Sequence, residues 1–528
     1  MKTAKILTLI GGICLTLIFT AESFVAAQKK PTPTGELRIA VPTLHMETFH
    51  PLWSTNYRKF FLEAMFDHLI GVDGEGKFLP EESIAYKWEE APDRMSWTFY
   101  IRDGVKFHDG TPLTLDDVKY SIEETAKVTN MAARGEYMTY IDRLETVPPN
   151  KVVLRLKKPW PVMPHHMSPL NSTEGMIFPK KYIEAQGKEF ERKPIGTGPY
   201  KFLEHKEGDY IKLVAQDSHW RVGVPKYRYL TFKVIPEEGT REAALRVGEV
   251  DLAKTTLTTA NKLETGGFTI HKKLSSIEPL LTMIRIYDPN NPLNKKKVRQ
   301  ALVYAIDKAA ILKHVMMGQG EVTGHHMAMT KWSIGYSKTY PLTPYDPKKA
   351  KELLAEAGYP DGFTIYLYSY ITDLPEAKLI NEAIAGYWKA IRMKPIILEM
   401  EYEAFKPVWA RKKDPPGPSI NLHPWTSRPV YPWGGLYHTK GPWSHTADPE
   451  LDKLIEDFNN QITLEGYGKA AQRVMDYVVD NYYHTGLFST HEFLASNPKV
   501  PKWPLGRNTY GSCRFEYIGG QSRDSRDK

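Results

Sequence analysis

An α/β protein with more than one core is what this sequence predicts, and three observations carry that expectation. Roughly 500 residues follow a short apolar N-terminal run, more than one core usually organises. Short alternating segments that read as strands recur along the first half. Between residues 346 and 400 helix and strand signals alternate, as they do in α/β units.

Taken in order, Lys2 and Lys5 precede an apolar run from Ile6 to Thr20, and Ser23-Phe24-Val25-Ala26-Ala27 supplies small residues for cleavage before Gln28. The run falls short of the ~20 residues needed to span a bilayer. Residues 1–27 are therefore expected to be a signal peptide cleaved near Ala27, leaving a soluble exported chain. Cys14 lies inside that signal, and Gly11-Gly12-Ile13 before it lacks the small final residue of a lipoprotein site. Cys513 is then the one remaining cysteine, so no intramolecular disulfide is expected and the fold must rest on its cores.

Leu37-Arg38-Ile39-Ala40-Val41 alternates as a strand and runs into a loop, Pro42 to Ser54, that holds Met46, Phe49 and Trp53. Rings just past a strand end suit either a binding crevice or a core. Trp97 to Ile101 and Lys151 to Leu156 are further strands. Thr114 reads as the N-cap of a helix from Leu115 to about Ala126, with Asp116 and Asp117 against its positive end. Tyr200 to Phe202, Ile211 to Val214 and Tyr229 to Ile235 form a second strand-rich region.

From Val298 the period changes: Val298, Ala301, Leu302, Ala305, Ile306, Ala309 and Leu312 recur at helical spacing and predict one helix. Asp346 as N-cap, Pro347 at the first turn, and Gly358 and Pro360 as the stop bracket another. A strand from Phe363 to Tyr368, a helix from about Glu376 to Arg392 and a strand from Pro395 to Met400 follow. From Lys412 to Trp443 seven prolines interleave with Trp425, Tyr431, Trp433, Tyr437 and Trp443. Leaving so many rings in water would forgo about 1.5–3 kcal/mol for each large side chain. The segment is therefore read as a packed loop, able to present rings to a ligand or to join domains.

The formal net charge is +8, and the densest basic run, Lys295-Lys296-Lys297 with Arg299, opens a predicted helix. A solvated helix face accounts for it, and no nucleic-acid partner is expected.

The order of segments resembles the extracytoplasmic solute-binding proteins of the dipeptide, oligopeptide and nickel class, which serve ABC importers. The resemblance is carried by Phe66-Asp67-His68-Leu69-Ile70-Gly71, by Trp97 to Val118, and by Pro194-Ile195-Gly196-Thr197-Gly198-Pro199-Tyr200. Arg246 to Asp251 and Val298 to Lys308 complete it. It implies a two-lobed, type II periplasmic-binding-protein fold of the Venus-flytrap kind, with an extra domain inserted in the first lobe. Residues 28–71, 196–280 and 490–528 would build the first lobe, 72–195 the extra domain and 281–489 the second lobe. A monomer that closes on a small-molecule solute, then docks on an ABC permease with its ATPase subunits, would follow, with a periplasmic location and no cofactor.

In peptide-binding members an acidic residue in the loop matching the aromatic stretch pairs with the ligand's amino terminus. Here that stretch, His423 to Trp433, holds no aspartate or glutamate and carries Arg428 instead. A guanidinium repels an ammonium and suits a carboxylate, so an ordinary dipeptide is disfavoured as cargo. The expected ligand contacts are Met46, Phe49, Trp53, Trp425, Arg428, Tyr431 and Trp433, with Arg428 toward an anionic or polyhydroxylated group and the rings stacking on the solute. No metal site is expected, because His165-His166, His325-His326, His423, His438 and His445 lack the spacing of a ligand set.

No catalytic residue is assigned and the chain is not expected to be an enzyme. There is no Gly-x-Ser-x-Gly elbow, and His491-Glu492 lacks the second histidine of a zinc-protease helix. The alternative is a secreted glycoside or ester hydrolase with an aromatic cleft, since scattered carboxylates also suit such an enzyme.

Overall fold

The alternating run at Leu37 forms β1 (Glu36–Val41), which lies inside a seven-stranded sheet. The computed structural model describes residues 32–44, 47–52, 59–127, 137–171, 173–217, 219–221, 225–274, 277–324, 333–337, 340, 342–370, 374, 376–426, 430–503, 505 and 513–519. In that sheet the order is β10 (Thr269–Leu274), β18 (His491–Ser496), β9 (Leu252–Thr255), β1, β8 (Tyr229–Val234), β7 (Tyr210–Ala215) and β6 (Tyr200–Lys206). β1 runs parallel to both neighbours, β8 and β9. Such a strand is covered on both faces and reads as nearly continuous apolar sequence. Leu37, Ile39 and Val41 enter a core with Leu213, Phe232 and Leu252, while Ala40 faces Ala244, Leu245, Val250 and Leu263 on the other side.

A four-stranded antiparallel sheet has the order β2 (Ala85–Glu90), β3 (Ser96–Ile101), β5 (Lys151–Leu156), β4 (Ile141–Val147). The helix Leu115–Lys127 covers it through Val118 and Ile122. Its start is locked reciprocally: Asp117 N–H donates to Thr114 Oγ1 at 3.2 Å, and Thr114 N–H to Asp117 Oδ2 at 2.9 Å.

A five-stranded sheet has the order β14 (Lys394–Met400), β13 (Thr364–Tyr370), β15 (Ser419–Thr426), β11 (Ile277–Ile284), β16 (His484–Gly486). A two-stranded ladder joins β12 (Glu321–Val322) to β17 (Phe488–Ser489). The chain thus passes between the large sheets twice, from β10 to β11 and from β16 through β17 to β18. Among the described residues no helix is long and apolar enough to cross a membrane.

Two of the differences from the sequence expectation have a local cause. The helix expected from Val298 to Leu312 is two, Lys296–Tyr304 and Lys308–His314. Asp307 breaks it, because its side chain accepts from Ala310 N–H at 2.8 Å and starts a new helix. Its hydrogen bond outweighs the apolar period that continues through Ala305 and Ile306. Asp307→Ala is expected to cost about 1 kcal/mol, read as a lower midpoint in urea unfolding. The second difference is β15, which lies within the stretch read as a loop. Beyond Asn421 the strand parts from β13, so Pro424 has no ladder bond to lose on that side.

The motif glycines mark close backbone approaches. A Cβ on Gly196 would stand 2.2 Å from the Met65 carbonyl oxygen, and one on Gly198 2.5 Å from the Met65 carbonyl carbon. The Phe66-Asp67 motif beside them anchors a buried ionic knot. Arg221 donates to Asp67 at 2.8 Å and Glu82 at 3.0 Å, and Trp220 Nε1–H donates to Asp67 at 2.8 Å. Tyr517 bonds both Arg221 and Glu82, tying the 513–519 segment to residues 67–82. Cys513 is buried in the same core as Phe515 and Ile518, and its thiol is free.

Candidate functional site

Antiparallel pairing sets a row of polar side chains on one face of the five-stranded sheet. Thr282 of β11 stands opposite Asn421 of β15 on one side and His484 of β16 on the other. Two residues along, Leu280 faces His423, and two further Glu278 faces Trp425. Directly opposed residues share a face and strand neighbours two apart do too, so Glu278, Thr282, Asn421, His423 and His484 point to one side.

This row is withdrawn from water: Glu278, Thr282, Asn421 and His484 are all buried. Among the described residues Glu278 Oε2, Thr282 Oγ1 and Asn421 Oδ1 have no hydrogen-bond partner. An unsatisfied buried polar atom costs about 1–3 kcal/mol, so three in one row mark a place where partners beyond the described residues, a solute among them, are expected to complete the bonding.

Aromatic rings wall the row. Trp409 stacks on His423 with centroids 5.5 Å apart and planes 14° apart, and it also meets His445 at 4.9 Å. Arg285 N–H donates to His445 Nδ1 at 3.3 Å, which leaves the ring proton of the neutral form on Nε2. Tyr437 Oη lies 3.0 Å from His484 Nδ1. Burial pushes His423, His445 and His484 down to about 3, so all three are neutral near pH 7. Burial raises Glu278 well above the ordinary carboxylate range.

The sequence-predicted contacts divide. Tyr431 and Trp433 are 3% and 1% exposed and stand in a line of rings, Tyr431–Trp433 at 5.5 Å and Trp433–Tyr437 at 5.9 Å, that leads to His484. Trp425 lies on β15 opposite Glu278. Phe49 is placed elsewhere, 1% exposed in the core beside the seven-stranded sheet, with edge contacts to Phe61 at 5.6 Å and Phe202 at 5.0 Å. Of the two readings open for that ring, the described contacts are those of core packing. Met46, Trp53 and Arg428 lie outside the described residues. Among the described residues no group of three or more His, Cys, Asp or Glu is arranged to hold a metal ion.

Sequence reasoning passed over Glu278, Thr282, Asn421 and His484. The signal was available for Glu278, a carboxylate inside the apolar strand Ile277–Ile284. No comparable mark distinguishes Asn421 or His484, whose meaning depends on strand register.

Comparisons with known proteins agree with this architecture. The model of bacterial extracellular solute-binding proteins, family 5 (middle), matches residues 80–444. The glutathione-binding protein GsiB of Pectobacterium atrosepticum is 32% identical over 311 residues, 58% of each chain. That of Escherichia coli K12 is 30% identical over 314 residues, again 58% of each. The chain thus spans 58% of the length of these curated relatives. Among solved structures, NikZ from Campylobacter jejuni with Ni(L-His) superposes with a TM-score of 0.76 at 24% identity, over 91% of this chain and 98% of that one. CtaP of Listeria monocytogenes reaches 0.80 at 21% identity with the same coverage. AppA of Bacillus subtilis, with a nonapeptide, reaches 0.72 at 24%, over 90% and 98%. The fold is that of these binding proteins.

Proposed function

This chain belongs to the bacterial extracellular solute-binding proteins of family 5, and from that premise we propose that it is the periplasmic binding component of an ABC importer. It takes a small solute between two lobes and presents it to a permease driven by ATPase subunits, without chemical turnover. In this reading residues 28–71, 196–280 and 490–528 form the first lobe, 281–489 the second and 72–195 the extra domain, with the junction expected at 280 moved back to 276 because β11 pairs along its whole length within the five-stranded sheet. The segment before Gln28 is removed on export.

The observation that carries the reading is the polar, partly unsatisfied row on β11, β15 and β16, which ends at Glu278 and Trp425 beside the chain crossings. Two crossings without a helix between them let two lobes swing as bodies, so a solute that touches both favours the closed state by its differential affinity. Relatives and structural neighbours carry glutathione, a nonapeptide or Ni(L-His) in their names. The cargo proposed here is likewise amino-acid-derived and carries a carboxylate, held by Arg428 while Trp425 stacks on its body.

Thermal unfolding with a panel of free amino acids, dipeptides, glutathione and sugars tests this. A bound solute at a hundred times its Kd is expected to add about 2.7 kcal/mol of stability, with the solute recovered unaltered. Arg428→Ala is expected to weaken binding of that solute at least about tenfold, given about 1.5–3 kcal/mol for a hydrogen bond to a charged group. Unchanged affinity would remove Arg428 from the site, and hydrolysis of the solute would favour a secreted hydrolase.

A further inference from the structure

Glu278 stands in an apolar strand, with Pro279, Leu280 and Leu281 directly after it. Its side chain is 2% exposed, and Oε2 has no partner among the described residues. The position is set on both flanks. Trp425 is its register partner on β15, and Leu487 N–H donates to the Pro279 carbonyl at 3.1 Å, which lays the β16–β17 crossing alongside.

Among the described residues, the groups around it supply no charge to balance a carboxylate. On β15 the titratable group of the same face is His423, on β16 it is His484, and both rings are held neutral by burial. From the 333–337 segment Tyr336 is near enough to feel Glu278, and it also feels Glu321 of β12, an anion. Burial is what acts on the acidity of Glu278, and it favours the protonated acid. An ionised carboxylate without a counter-charge is disfavoured in such a place, whereas one facing a cation in low dielectric is strongly held.

We propose that Glu278 recognises a cationic group of the solute, an ammonium or its equivalent, and binds it in exchange for a proton. The carboxyl O–H bond breaks, its proton leaves to solvent, and an N–H of the solute donates to the carboxylate. The acid missing from residues 423–433 is thus supplied from the neighbouring strand, at the point where the chain passes between the sheets. The inference rests on the solute-capture reading above, and it adds that the cargo carries a positive group as well as the carboxylate assigned to Arg428.

The test uses the full exported chain, stripped of small molecules by unfolding and refolding. It is incubated with an equimolar mixture of free amino acids, dipeptides and glutathione, together with the N-acetylated form of each. After gel filtration the retained solute is identified by mass spectrometry. Wild type is expected to retain free amines and reject the acetylated forms. Glu278→Gln is expected to retain at least about thirtyfold less, the loss that follows from truncating one partner of a buried charged pair. The unliganded variant should melt no lower than wild type, since it loses a buried acid and keeps the shape. Calorimetry of the retained solute, repeated across a range of pH in buffers of different ionisation enthalpy, should show proton release on binding.

Equal capture by Glu278→Gln, equal retention of acetylated and free forms, or no proton release would each overturn the proposal while leaving solute capture intact. Capture of nothing from the mixture by wild type would overturn the amino-acid-derived cargo and this proposal together.

Discussion

Arg221→Met is expected to cost about 3–5 kcal/mol, the usual loss when one member of a buried ionic cluster is removed and its partners stay charged. Asp67 and Glu82 would lose their shared guanidinium, at 2.8 and 3.0 Å, and keep only the donors on Trp220, His219 and Tyr517. Burial alone would raise the pKa of Asp67, but Arg221 and then His219 hold it well below the usual range. That stabilised carboxylate is what the substitution strands. Urea unfolding followed by tryptophan fluorescence measures the loss. The double variant with Asp67→Asn is expected to cost less than the two single changes together, because the stranded charge is then gone. A loss below about 1 kcal/mol for Arg221→Met would show that the knot contributes little.

Acid is expected to unfold this protein early. Burial presses His108, His423, His445 and His484 down to about 3 and His165 to about 4. Their unfolded value is about 6.5. Because the folded values are the lower ones, the unfolded chain takes up protons first as pH falls. The contribution of each ring is therefore complete above about pH 6.5 and is lost progressively toward pH 3 to 4, at about 1.4 kcal/mol per pH unit. Two acids oppose this. Burial raises Glu516 to about 7 and Glu278 well above 4.5, so the folded state binds those protons first and gains stability as pH falls. The lowered rings outnumber these raised acids, so the net effect between about pH 6.5 and 4.5 is a loss of stability as pH falls. Against a typical total of about 5–15 kcal/mol, the melting temperature should fall steeply over that interval. A profile flat from pH 7 to 5 would contradict the assignment of neutral, buried rings.

Elements whose signals are local were legible. Thr114 with Asp117, and Asp346 with Pro347, specify helix starts by hydrogen bonds within four residues, and the helices begin where those bonds place them. The alternation in β1, β3, β5, β7 and β8 marked those strands for the same reason. The split at Asp307 was hidden because the apolar period runs through it, and only the cap bond shows that one helix ends and another begins. β15 was hidden by Pro424, which is harmless because β13 has already parted from the strand there. The polar row was harder still, since Thr282, Asn421 and His484 are far apart in sequence and meet only through register. The aromatic residues from Tyr431 to Tyr437 were visible as a group, but whether a ring packs or binds depends on what stands across from it.

The place of β18 in the seven-stranded sheet bears on how the chain comes to be folded. β18 is drawn from residues 491–496 yet sits between β9 and β10, and among the described residues β10 pairs with no other strand. A growing polypeptide that has reached residue 480 already holds every other strand of that sheet, but it has a vacancy where the last one belongs. β9 is then an open edge and β10 has no neighbour to join. Completion of the sheet must wait until residues 491–496 have been synthesised, and the bonds that close it link segments more than 200 residues apart. Closure of this sheet thereby follows the making of all six of its other strands, whereas the four-stranded sheet has all its strands by residue 156.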